Sequence, residues 1–107
     1  MRQVNLADQP LIGTGSGQVE KLTGHLHARM EELIEDGLTV SCQVHKDAGR
    51  ILISFPNQDS RKALRQLAAY GILAAEEENQ ILFIVTERVS HEDMDYVQGA
   101  VMEMLYG

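Results

Sequence analysis

The 107-residue chain has one cysteine, Cys42, only two prolines and no tryptophan. A single cysteine excludes an internal disulfide, so nothing marks a small secreted fold held by cross-links. Positive charge is also scarce. Nine Lys and Arg stand against sixteen Asp and Glu, a net charge of -7. Phosphate backbones and anionic membrane surfaces are bound by clustered Lys and Arg, so neither nucleic acid nor membrane is an expected partner. No apolar run approaches the ~20 residues that span a bilayer. The N-terminus lacks a basic segment leading into an apolar stretch, so no signal peptide is read and a cytoplasmic location is expected. What is present is 44% hydrophobic residues, enough for one core. A domain of this length is only modestly stabilised by its own core, so self-association would help it.

Residues 1–15 read as an irregular or flexible arm, because Pro10, Gly13 and Gly15 punctuate it; Val4, Leu6, Leu11 and Ile12 are its docking candidates. Gly13-Thr14-Gly15-Ser16-Gly17 has the look of a phosphate-binding loop but lacks the preceding strand and the Lys-Ser/Thr pair. A linker is the expectation. A single domain is expected over 16–107. Its first helix covers about 16–35, with Val19, Leu22, Leu26, Met30 and Leu33 on one stripe and Ser16 as N-cap. Leu38, Val40, Cys42 and Val44 then alternate with polar residues, the period of a strand with one buried face. Lys46–Arg50 reads as a hairpin loop and Ile51–Phe55 as the returning strand.

A second helix is expected at about 59–70, stopped by Gly71 in the left-handed conformation. Strands follow at Ile72–Ala75 and Ile81–Val85, separated by a charged turn at Glu76–Gln80. The last helix covers about 90–105. Ser90 is its N-cap, Glu92 and Asp93 complement its dipole, and Met94, Val97, Val101, Met104 and Leu105 form its buried stripe. The fold class is therefore α+β in the order α-β-β-α-β-β-α, with a four-stranded antiparallel sheet and helices packed on one face.

Gly71-Ile72-Leu73, Ile84-Val85-Thr86 and Val89-Ser90-His91-Glu92-Asp93-Met94-Asp95, taken in this order, resemble the C-terminal small domain of fold-type-I pyridoxal-phosphate enzymes. The nearest groups are the threonine aldolase/β-eliminating lyases and the class V aminotransferases. The resemblance covers roughly 16–107. It implies that cofactor and Schiff-base lysine belong to a separate large domain, which this chain lacks. The lysines here, Lys21, Lys46 and Lys62, sit on a helix, in a loop and at a helix start. No cofactor is therefore expected. The resemblance also implies an arginine on the strand before the last helix, gripping a substrate carboxylate through its planar fork. Phe83 stands at that position and cannot do so.

Other chemistry is weakly signalled. His25 and His27 are two apart on a helix and point to different faces, unlike a zinc-binding pair at a spacing of four. His91, Glu92 and Asp93 are explained by helix capping. Cys42 has the inward phase of its strand, where cysteine is a small inert hydrophobe. No metal ligand set is read, and Glu76-Glu77-Glu78 reads as a solvated turn. Met102 and Tyr106 fall off the stripe of the last helix and are the candidate interface residues. The expectation is a non-catalytic, self-associating or protein-binding regulatory module, with homodimerisation as its simplest form. Its alternatives are a subunit of a split pyridoxal-phosphate enzyme completed by a separate large domain, and an amino-acid sensor using the sheet face or a dimer groove.

Overall fold

A computed structural model describes residues 2–8, 16–45 and 48–106. Pro10, Leu11, Ile12, Gly13, Gly15, Lys46 and Asp47 lie outside the described residues, as do the side chains of Ser16, Val44, His45 and Ala48. Six strands and three helices are described: β1 (Val4–Asn5), α1 (Ser16–Glu31), β2 (Thr39–His45), β3 (Ala48–Ser54), α2 (Ser60–Ala69), β4 (Ile72–Leu73), β5 (Ala75–Glu77), β6 (Gln80–Val85) and α3 (His91–Tyr106). A short 3-10 turn at Ile34–Asp36 ends the first helical region, where one helix to about residue 35 was expected. The α+β class and the antiparallel sheet are as expected. The sheet order is β2-β3-β6-β5.

Alternation decides which side of the sheet is buried. Val40 pairs with Ile53 and Cys42 with Ile51, while Ile51 and Ile53 pair with Phe83 and Ile81. These residues share one face with Val85, and the five from β3 and β6 are fully buried against Leu22, Leu26, Met30, Ala63 and Leu67 of α1 and α2. The opposite face carries Ser41, Gln43, Arg50, Leu52, Leu82 and Ile84. Arg50 reaches Glu77 at 2.6 Å, and the register sets this pair diagonally across β6 over Leu82. That cover accounts for the burial of an apolar side chain on the polar face.

One glycine fixes how α1 lies on the sheet. A Cβ on Gly49 of β3 would sit 1.7 Å from Thr23 Oγ1. Thr23 is itself fully buried and donates its hydroxyl to the Val19 carbonyl at 2.6 Å. Helix and strand therefore touch where the strand has no side chain. Gly49 and Arg50 belong to β3 rather than to a hairpin loop.

Helix ends follow the capping signals. Asp59 accepts from Lys62 N–H at 2.8 Å and opens α2. Gly71, at φ +82°, closes it just past Tyr70, a conformation that would strain an L side chain. At α3, Asp93 N–H donates to Ser90 Oγ and Ser90 N–H donates to Asp93 Oδ2, both at 3.1 Å. This is a reciprocal capping box.

Two expectations are corrected. The strand expected at 72–75 is broken at Ala74 into β4 and β5, and β5 runs on through Glu76 and Glu77. The turn contracts to Glu78 and Asn79, both with positive φ (50° and 65°). This two-residue geometry matches the twist of a hairpin and keeps the flanking glutamates in the ladder. The second correction concerns residues 2–8. Instead of trailing as an irregular arm, they place β1 parallel to β4, with Val4 and Leu6 buried in the main core. Val4 N–H donates to Gly71 O and Leu6 N–H to Leu73 O, while Leu6 O accepts from Ile84 N–H at 2.7 Å. Leu6 thus covers the edge of β6 just beyond the end of β5. Arg2 bonds Asp93 at 2.7 Å, tying the same segment to α3.

Candidate functional site

The last helix organises two distinct surfaces, one at each end. At its N-terminus, α1 and the segment leading into α3 flank an open cleft of about 750 Å³, lined by Gln18, Lys21, Leu22 and Glu87–His91. It lies within the size range of small-molecule sites. Lys21 and Arg88 provide positive charge and Glu87 negative charge. Arg88 also lies 3.6 Å from Asp8.

Beside the cleft, α1 and α3 run in the same direction. His25 consequently stacks on His91, ring centroids 4.4 Å apart, and its Nε2 lies 3.3 Å from Asp95 Oδ1. Arg29 Nε approaches the same carboxylate oxygen at 3.2 Å, and Gln98 bridges to Glu32 and to the Arg29 carbonyl. His27 faces away toward Glu31 at 3.5 Å. The sequence reading of His25 and His27 as residues on different faces therefore agrees with the structure. It missed that His25 meets His91, because only the alignment of two helices about seventy positions apart brings them together. Asp95 is shared between a histidine and an arginine, which makes it an interhelical brace. Among the described residues no group of three His, Cys, Asp or Glu side chains converges on a metal position.

Asp93 sits at the junction of the cleft wall and the N-terminal segment. Burial pushes its carboxyl up, but hydrogen bonds from the Ser90 N–H, Arg2 and the Ser90 hydroxyl outweigh this and hold it below the ordinary aspartate value. Cys42 is half-buried on β2. Desolvation first, and the charge of Glu31 second, push its thiol up, away from the thiolate that nucleophilic chemistry requires.

At the other end of α3 lie the candidate interface residues. Met102 is 40% exposed and Tyr106 71% exposed, one helical turn apart. The Tyr106 hydroxyl donates to Asp36 at 2.9 Å, and this bond pushes the phenol up from its usual value. Asp36 belongs to the 3-10 turn that also presents Ile34, 47% exposed. Sequence reasoning missed Ile34, which its helical spacing had placed inside a continuous first helix. Acidic residues adjoin these three: Glu35 follows Ile34 and Glu103 follows Met102 in the chain, and Asp36 accepts from Tyr106. Phe83, the position the resemblance assigns to a carboxylate-gripping arginine, is fully buried in the core between sheet and helices. It lines neither of these surfaces.

The sequence matches no protein-family model, and no curated protein is significantly similar to it. No helix among the described residues is long and apolar enough to cross a membrane.

Proposed function

We propose that this chain is a non-catalytic interaction module, a small domain of the pyridoxal-phosphate-enzyme type that binds itself or a protein partner. The observation that carries this reading is the exposure of Ile34, Met102 and Tyr106, with Tyr106 bonded through Asp36 to the turn that presents Ile34 and with Glu35 and Glu103 next to Ile34 and Met102 in the chain. Exposed apolar side chains with charged neighbours are the usual make-up of a partner surface. These acidic neighbours favour a partner that offers an apolar side chain flanked by Lys or Arg. The burial of Phe83 supports the reading as well, because the position that would grip a substrate carboxylate serves packing instead. Incubation with pyridoxal phosphate followed by gel filtration tests it. The expected result is a protein peak without the cofactor's near-ultraviolet absorbance; stoichiometric uptake by the purified chain would overturn the reading.

A second reading, an amino-acid sensor, draws on the cleft at the start of α3. Lys21 and Arg88 there suit a carboxylate, and Glu87 suits an ammonium group. A thermal-shift screen with the common amino acids tests it. Unchanged melting at millimolar amino acid would exclude it, since a ligand bound only by the folded state raises stability.

A further inference from the structure

We infer that β2 is a self-association edge, pairing antiparallel with β2 of a second copy so that two four-stranded sheets join into one. This rests on the interaction-module reading and gives it a surface.

The sequence of β2, Thr-Val-Ser-Cys-Gln-Val-His, is seven residues long and contains no Pro, Lys, Arg, Asp or Glu. Among the described residues no strand pairs with its outer side. A long uncharged edge presents unpaired N–H and C=O groups as a template for another strand. In a chain of net charge -7, an uncharged seven-residue edge is also a place where two copies approach without strong repulsion. The core reinforces this. Val40 and Cys42 pack against the buried cluster but remain only partly covered, so the apolar layer runs out to the edge and stops there. A second sheet laid alongside would cover it.

The length of the strand fixes the register. Maximal antiparallel overlap of Thr39–His45 with itself puts Cys42 opposite the second copy's Cys42. Ser41 then faces Gln43, and Val40 faces Val44. The occupant is a second copy of this chain because the strand is self-complementary in this register. Like faces like: apolar positions meet on one sheet face and uncharged polar positions on the other. Directly opposed residues lie about 4.5 to 5.5 Å apart between Cα atoms, within the span of a disulfide. The only thiol in the chain therefore reports the register.

The test uses the full chain in solution. Sedimentation velocity from micromolar concentrations upward is expected to show a dimer. Copper-phenanthroline with dissolved oxygen, which takes two electrons and two protons from a pair of thiols, is expected to link it quickly through Cys42. The double variant S41K/Q43K places Lys opposite Lys twice and should weaken the dimer by roughly tenfold or more. S41K/Q43E places Lys opposite Glu twice and should restore it. Circular dichroism on both variants checks that the monomer still folds, since both positions are exposed. A wild-type monomer at every concentration overturns the inference. So does a dimer that is indifferent to S41K/Q43K and resists linkage at Cys42, and so does a β2 edge that pairs only with an added extended peptide. In none of these cases is the interaction-module reading lost, because cofactor uptake tests that separately.

Discussion

The two edges of the sheet are managed in opposite ways. On one side β5 is three residues long and carries Glu76 and Glu77. Where it ends, Leu6 takes over by accepting from Ile84 N–H. On the other side β2 is seven residues long, uncharged and unpaired among the described residues. Short length, charge and a covering segment are the means by which soluble proteins stop strands from pairing with neighbours. Among the described residues, one edge has all three and the other has none. The lesson is that a sheet can close one side with care and leave the other free for a partner.

The comparison can be broken most severely by removing the cover. Deletion of residues 1–8 takes Val4 and Leu6 out of the core and bares the Ile84 edge. Its expected cost is about 5 kcal/mol, since each large buried side chain is worth roughly 2–5 kcal/mol when truncated. Urea denaturation measures this, and light scattering should show aggregation that the intact chain does not. A smaller effect is expected at the other hairpin. Gly49→Ala forces Thr23 to give way, at about 1–3 kcal/mol, and should loosen α1 over the free edge. A melting temperature equal to wild type would show that the close contact is not restrictive.

The closed edge can also be sharpened. Glu78 and Asn79 adopt positive φ without glycine, so Glu78→Asn with Asn79→Gly should stabilise the β5–β6 hairpin by about 1 kcal/mol. Destabilisation would mean that Glu78 has a role outside the turn. The smallest effect is electrostatic. Asp93 is held below its ordinary value by Ser90 and Arg2. Its contribution is therefore complete above the unfolded-state value of about 3.9 and is lost as pH falls below that toward the folded-state value. Melting temperatures should drop with acid more steeply in wild type than in Asp93→Asn, and equal slopes would show that the N-terminal tie is silent.

The sequence reads well where signals are local and poorly where they are not. Gly71 and Ser90 are short-range devices, and both mark helix ends in the structure. Alternation in β2 likewise predicts that Val40 and Cys42 face the helices. Val4 and Asn5 carry no period, because two residues cannot show one, and their partner is a parallel strand almost seventy positions away. Glu76 and Glu77 look like turn residues by propensity, yet the positive-φ pair after them holds them in a strand. At the candidate surfaces, Met102 and Tyr106 are legible as departures from the buried stripe. The cleft at the start of α3 is not, since Lys21 and Arg88 meet only once two helices have packed.

The position of Leu6 also bears on synthesis. It leaves the ribosome well before its sites, Leu73 and Ile84. β1 must therefore wait beside a growing chain until those partners have been made, and it is among the last pieces to settle. A bulky insertion just ahead of Val4 would slow that final step.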